Sequence, residues 1–308
     1  MFTIIRKMLI LGSMVAGVMT LLALIFPADA NNYLAAAGDK RHLLYSIDSP
    51  RIILMGGSNV AFSMDSEKIS EQFEMPVINM GLHVDMGLRF MLNEVGPALR
   101  DGDVVVIFPE YENFYSISLD GRSTELGAVI RFCPECISSI STPMQALNAA
   151  AGISQMLEGD FLRSFKSSKP HEKIYFRQGF NQHGDMVAHL KQVDKLKPNN
   201  HVSEIEVLPS NPAIELLNSF YQSHRADHIQ IFVVFPAIPV DEYKNQEEKF
   251  TALYDLISAQ LEIPFLGLPR DFLYPEDFFY DTVYHMNRTG RERHTLDVIE
   301  VLTPVMQR

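Results

Sequence analysis

The chain has 308 residues, a size that suits one large domain or one domain with an insertion. Hydrophobic residues make up 47% of it, enough for a sizeable core, and the net charge is −12. This acidic balance excludes the basic face of a nucleic-acid binder and argues against tight adsorption to anionic lipid headgroups.

The N-terminal segment, residues 1–30, has a different composition from the rest. Arg6 and Lys7 precede an uncharged apolar run, Met8–Phe26, that is long enough to cross a bilayer as one helix. The basic residues favour an N-terminus that stays inside, so the rest of the chain is expected on the extracytoplasmic (periplasmic) side. The small residues of Ala28-Asp29-Ala30 keep a cleaved signal peptide open as the alternative to an uncleaved single-pass anchor.

Residues 31–50 are polar and predict a linker, after which strand-like and helix-like patterns alternate. The first elements predicted are strand Arg51–Met55, helix Asp65–Phe73, strand Pro76–Met80, helix Met86–Leu99 capped by Asp85, and strand Asp103–Phe108. Residues from about 111 to 212 are less regular and predict an insertion with one helix at Ser139–Leu157.

The alternation then returns. The last elements predicted are helix Ala213–His224, strand Ile229–Phe235, helix Glu247–Leu261, strand Pro264–Leu268 and helix Asn287–Met306. Strands that alternate with helices of this length predict an α/β domain over residues 51–308, with a mostly parallel sheet.

The two cysteines, Cys133 and Cys136, form a single CxxC pair. A structural zinc site needs four ligands, and no thioredoxin-like pattern surrounds this pair. A local disulfide or two free thiols therefore remain the two interpretations.

Polar residues with reactive side chains follow the first predicted strand, in Gly56-Gly57-Ser58-Asn59. Ligands of an open parallel sheet bind beyond the carboxyl ends of its strands. Ser58 stands where a helix is expected to start, so unpaired backbone N–H groups surround its hydroxyl and could stabilise an oxyanion. This pattern makes Ser58 a candidate nucleophile, although an ordinary strand-to-helix turn would look the same.

A nucleophilic serine needs a base, and the base needs an orienting group. His285 lies just before the last predicted helix, and Asp281, four residues earlier, could accept a hydrogen bond from its ring. Glu110 and Glu112 follow the third strand, and their alternation predicts opposite faces, with one of them able to enter the pocket.

Metal and cofactor sites are not expected. The residues His183, Asp185 and His189 match none of the usual zinc spacings, and the glycines at 56 and 57 lack the remainder of a phosphate-binding loop.

Three blocks resemble the SGNH (GDSL-like) hydrolases: Gly-Gly-Ser-Asn at 56–59, Asn-Met-Gly-Leu-His at 79–83, and Asp-Thr-Val-Tyr-His at 281–285. More narrowly, they resemble membrane-anchored members that act with membrane-bound O-acyltransferases on exported glycans. The resemblance covers residues 51–115 and 229–305. It implies a flavodoxin-like three-layer α/β/α fold, no cofactor, and a catalytic set in which Ser58 attacks, His285 is the base, Asp281 orients it, and the N–H groups of Ser58 and Gly81 form the oxyanion hole.

The chain departs from the family pattern in three places. Gly57 stands where the family has Asp, and the acid is at 281 while Thr282 occupies its usual position. The third block, Gly-x-Asn, is missing, and Asn113 is the nearest residue that could replace its oxyanion donor.

Two functions follow as expectations. The first is an extracytoplasmic serine esterase or O-acyltransferase on acylated envelope or exported glycans. The second is a non-catalytic accessory or glycan-binding partner of a membrane-bound acyltransferase.

Overall fold

The computed structural model describes residues 6–7, 10, 14, 25, 28–163, 174–192, 196, 200–225 and 228–307. These residues form a mixed α/β fold with a parallel central sheet and many helices. The apolar run Met8–Phe26 lies outside the described residues except at positions 10, 14 and 25, so the membrane segment stays a prediction. Among the residues that are described, no helix has both the length and the apolar character that crossing a membrane requires.

The central sheet has the strand order β2-β1-β3-β4, and all of its pairs are parallel. Its strands are β1 (Ile52–Gly56), β2 (Val77–Asn79), β3 (Val104–Phe108) and β4 (Gln230–Val233). Every residue of β1 and β3 is buried, as expected for the continuous apolar runs of a covered parallel sheet. A second pair, β5 (Ile238–Pro239) and β6 (Leu273–Tyr274), is also parallel.

Helices connect the strands and continue after the sheet. In chain order they are α1 (Ala36–Ser46), α2 (Ser58–Ser63), α3 (Ser66–Phe73), α4 (Leu88–Val95), α5 (Ser123–Phe132), α6 (Pro143–Arg163), α7 (Pro212–His224), α8 (Val240–Asn245), α9 (Glu247–Gln260) and α10 (Arg288–Met306). Asp65 caps α3 and Asn287 caps α10 through their side chains, at the residues where the sequence predicts these helices to begin.

The segment predicted as a polar linker contains helix α1 instead. The charged residues of this segment are typical of a solvent-exposed linker, but Lys40 and the adjacent Arg51 are buried against specific partners. The Lys40 ammonium donates to the carbonyl oxygens of Asn79 and Gly184, and the Arg51 guanidinium, which follows α1, donates to the carboxylate of Asp103. Residues 31–50 are thereby part of the core domain.

Two further elements differ from the sequence prediction. Helix α4 starts at Leu88, after Gly87 with φ +84°, and Asp85 lies in a preceding 3-10 turn. The segment Pro264–Leu268 is not a strand, although Phe265 makes an isolated parallel bridge with Val233 at the edge of β4.

The insertion is more ordered than its sequence suggests, since α5 and α6 pack closely on each other. Cys133 and Cys136, which follow α5, form a disulfide. Further on, the buried carboxylate of Asp185 accepts hydrogen bonds from Ser66, Asn79 and Arg291. The insertion is therefore held to the sheet, α3 and α10 by a buried polar network.

Candidate active site

Ser58 is the first residue of α2 and follows β1 directly through Gly56 and Gly57. A side chain at position 56 would bring its Cβ to 2.5 Å from Val60 Cγ2 and 2.7 Å from the carbonyl oxygen of Phe108. Only glycine allows the chain to leave the sheet and enter the helix this tightly. The turn thus places Ser58 at the carboxyl end of the sheet, where ligands of parallel sheets bind.

Asp281 and His285 form a buried pair in the loop before α10. The Nδ1 atom of His285 lies 2.8 Å from Oδ1 of Asp281, and both side chains are more than nine-tenths buried. The ring of Phe62, from α2, stacks on the imidazole at 3.9 Å between centroids, with 9° between the planes. The carboxylate and the aromatic ring therefore fix the imidazole in one orientation, with Nε2 left for other contacts.

Ser58 and His285 line the same cavity, which has a volume of about 480 Å³. Among the described residues, neither the Ser58 hydroxyl nor Nε2 of His285 makes a hydrogen bond. Hydrogen bonds of this type are often long in ligand-free sites and tighten when substrate binds. The structure thus brings the expected nucleophile and base to one cavity without joining them directly.

The insertion contributes Tyr175 to this pair. Its hydroxyl donates to Oδ2 of Asp281 at 2.5 Å and lies 3.3 Å from Nδ1 of His285. Burial, together with the acceptor Asp281, raises the pKa of Tyr175, so the hydroxyl remains a donor. No local pattern in the sequence identifies this residue, because 106 positions separate it from its partner.

Gly81 and Asn113, the other expected oxyanion donors, are placed elsewhere. The Gly81 N–H donates to the Asn79 side chain at 2.9 Å, and neither Gly81 nor Asn113 is among the described residues lining the cavity. Asn113 lies within a 3-10 turn, Tyr111–Phe114, and is buried.

The backbone N–H groups of two residues that line the cavity are better candidates for oxyanion donors. Ser58 and Val84 both line the cavity, and among the described residues neither backbone N–H has a hydrogen-bond acceptor. The chain after β2 therefore lines the cavity with His83, Val84 and Asp85 rather than with Gly81.

Two acidic residues, Glu110 and Glu112, line the cavity together, contrary to the expectation of opposite faces. The chain leaves the extended conformation after Glu110 and enters the 3-10 turn, so strand alternation no longer applies. Glu112 accepts hydrogen bonds from the Tyr284 hydroxyl and the Ser203 backbone. Burial, with the nearby Glu112, raises the pKa of Glu110 to about 8.

A group of ionisable residues beside the cavity carries mixed charge. His83, Asp85 and Glu125 bring potential ligand atoms within 4.8 Å of one another. The Arg122 guanidinium lies 3.2 Å from the Asp85 carboxylate, so this carboxylate already has a cationic partner. Burial lowers the pKa of His83, which favours its neutral form.

The histidines of the insertion have structural contacts. His189 is buried, with Nε2 2.9 Å from the carbonyl oxygen of Met286, and His183 lies 3.3 Å from the carbonyl oxygen of Val77. Asp185 belongs to the buried network with Arg291, so these three residues do not converge on a ligand site.

Comparisons with known proteins find few similar proteins. No family model and no curated protein matches the chain. Among solved structures it is similar to one titled "The structure of a putative platelet activating factor from Streptococcus pneumonia", at 12% identity and a TM-score of 0.41, over 96% of this chain and 99% of that one. At so low a sequence identity and TM-score, the similarity carries no argument about function, which rests on the site itself.

Proposed function

We propose that the chain is an extracytoplasmic serine esterase or O-acyltransferase, built as a flavodoxin-like three-layer SGNH-type domain. The observation that carries this proposal is that Ser58 and an Asp281-paired His285 line one cavity. The two chain segments that carry them are also joined nearby, where Arg291 binds Asp65 across 226 positions of sequence. The strand order 2-1-3-4 supports the fold assignment, because it is the order of flavodoxin-like sheets.

The chemistry follows from the roles of these groups. The Ser58 hydroxyl attacks the acyl carbonyl carbon while Nε2 of His285 takes its proton, and the resulting oxyanion lies near the N–H groups of Ser58 and Val84. The alcohol leaves with the proton from His285, which gives an acyl-serine. Water or a sugar hydroxyl then loses a proton to His285 and attacks this ester; as the bond to Oγ of Ser58 breaks, His285 returns that proton to Oγ, which restores the serine hydroxyl and the neutral imidazole.

A glycan is the substrate class that the cavity walls support best. Beyond Ser58 and His285, the lining is rich in hydrogen-bonding side chains, among them Asp85, Arg122 and Asn200. Such groups suit sugar hydroxyls better than a long apolar chain.

The expected N-terminal segment supports an extracytoplasmic location, since an apolar run after Arg6 and Lys7 would export the domain. The Cys133–Cys136 disulfide agrees with an oxidising compartment. In that position a glycan-modifying enzyme would act with a membrane-bound O-acyltransferase, which would supply the acyl group.

A second function is supported by two observations. The Gly81 N–H is engaged by Asn79, and the Ser58 hydroxyl has no hydrogen-bonded base among the described residues. A non-catalytic accessory protein, which binds a glycan or a membrane-bound acyltransferase, needs neither interaction.

The test is covalent labelling of the full-length chain in membranes by a fluorophosphonate, which reacts with activated serines. We expect wild type to be labelled and Ser58→Ala to lose labelling together with hydrolysis of a short-chain activated ester. Ser116→Ala is the matched control, because Ser116 also lines the cavity but is exposed. Equal labelling of wild type and Ser58→Ala would exclude the enzyme, and full function of Ser58→Ala in cells would favour the accessory protein.

A further inference from the structure

Glu110 occupies an unusual place beside the expected nucleophile. Its side chain is 4% exposed, and its Oε1 accepts a long hydrogen bond, 3.4 Å, from the backbone N–H of Asn59. A Cβ atom on Gly57 would lie 2.6 Å from the same oxygen. The carboxyl group therefore fills the space next to the residue that precedes Ser58.

This contact lies at a position where the chain departs from the family pattern. Position 57 carries Asp in the resembled family, but here a carboxyl group reaches the same space from the end of β3. Gly57 leaves room both for Glu110 and for Val84, whose Cβ and Cα atoms would lie 2.9 and 3.1 Å from a Cβ atom at position 57.

The surroundings of Glu110 contain more negative than positive charge. The titratable and charged groups facing it from the packed elements are Tyr33, His83, Asp85, Glu112, Arg122, Tyr284 and His285. Arg122, the only Lys or Arg side chain among the described lining residues, pairs with Asp85 rather than with Glu110. A negative charge on Glu110 is therefore poorly compensated.

We propose that Glu110 stays uncharged and donates a hydrogen bond from its carboxyl group to the substrate oxyanion beside Ser58, as the third donor of the oxyanion hole. The Asn59 N–H holds Oε1 as an acceptor, which leaves the proton on Oε2, an atom without a hydrogen-bond partner among the described residues. This role, which rests on the proposed acyl-transfer function, is the one that the sequence suggested for Asn113. The proton remains on Glu110 throughout, because Ser58 and His285 carry the proton transfer.

The inference has a pH signature. Burial and the charges of Glu112 and Asp85 raise the pKa of Glu110 to about 8. Above that pH the side chain becomes a carboxylate, which accepts but cannot donate, and its charge repels the oxyanion. Activity should therefore fall as pH rises through about 8.

The experiment compares Glu110→Gln, Glu110→Ala and Glu112→Gln by rates of ester hydrolysis and fluorophosphonate labelling between about pH 6 and 9.5, a range that lies between the ordinary Glu and Tyr pKa values. An amide also donates, so Glu110→Gln should keep the rate within about tenfold of wild type and lose the fall above pH 8. Glu110→Ala should lose about 100- to 1,000-fold at all pH values, as removal of one oxyanion donor does. Glu112→Gln should move the fall to lower pH, because it removes a charge that raises the pKa of Glu110.

A second measurement does not depend on activity. Infrared difference spectra of wild type and Glu110→Gln should show the carbonyl band of a protonated carboxylic acid at neutral pH, and this band should vanish above the pKa. If Glu110→Gln is as inactive as Glu110→Ala, or if the band is missing at neutral pH, the donor role is wrong. Labelling that depends on Ser58 in wild type would still support the enzyme, whereas unlabelled wild type would refute both.

Discussion

The hydroxyl of Tyr175 lies 2.5 Å from Oδ2 of Asp281, and it donates to the oxygen that His285 does not use. The insertion thus supports the acid of the pair through its second oxygen, with the Tyr175 hydroxyl also 3.3 Å from Nδ1 of His285. Because Asp281 holds the ring of His285, a change at Tyr175 should affect catalysis through orientation rather than through substrate binding.

We expect Tyr175→Phe to lower kcat about tenfold, because a hydrogen bond to a charged group contributes about 1.5–3 kcal/mol, part of which the rest of the site can replace. KM should change little, since the phenyl ring still fills the cavity wall. The measurement is steady-state ester hydrolysis at several pH values.

Tyr115→Phe is the control for Tyr175→Phe. It removes a hydroxyl that donates to the Ser203 carbonyl oxygen at 3.2 Å, away from Asp281. A tenfold loss in both variants, or a rise in KM alone, would contradict a positioning role for Tyr175.

Helices α5 and α6 cross where Gly127 and Gly152 face each other. A Cβ atom on Gly152 would overlap with the backbone carbonyl of Ser123, whereas one on Gly159, in the same helix, would meet nothing within 4 Å. We expect Gly152→Ala to destabilise the protein by about 1–3 kcal/mol or more, because backbone atoms cannot move aside easily.

Gly159→Ala is the matched substitution and should stabilise the protein by about 0.5–1 kcal/mol through helix propensity. Denaturant unfolding of both variants tests the pair. Equal stability of the two variants would show that the helices do not approach at Gly152 as described.

His294 is buried in α10 among the rings of Phe108, Phe272 and Tyr274. Burial lowers its pKa from the ordinary 6.5 to about 3. The unfolded chain therefore takes up a proton near pH 6.5, while the folded protein does so only near pH 3. Stability contributed by the neutral ring is thus present above pH 6.5 and is lost progressively as pH falls toward 3.

We expect the free energy of unfolding to decrease with acid over this window, by up to about 1.4 kcal/mol per pH unit from this residue. His189, whose pKa burial lowers to about 4, contributes in the same direction. His294→Leu should reduce the slope, and His42→Gln, at an exposed position, should leave it unchanged. An unaltered slope in His294→Leu would show that the ring is not held neutral.

Local patterns predicted the elements that surround the site. Apolar runs identified β1 and β3, and the capping residues Asp65 and Asn287 located the starts of α3 and α10, because these signals act within a few residues. Helix α1 escaped prediction, since the buried positions of Lys40 and Arg51 depend on carbonyl and carboxylate partners distant in the chain.

The sequence by itself determined the alternating α/β pattern, the serine at the end of β1, and the Asp281–His285 spacing, since each depends on neighbours along the chain. Only the tertiary structure decided that Tyr175 supports Asp281, that Glu110 rather than Asn113 lines the cavity with Ser58, and that Val84 rather than Gly81 borders it. The reason is physical: packing distances between segments, and the desolvation that raises the pKa of Glu110, arise only when remote parts of the chain come together.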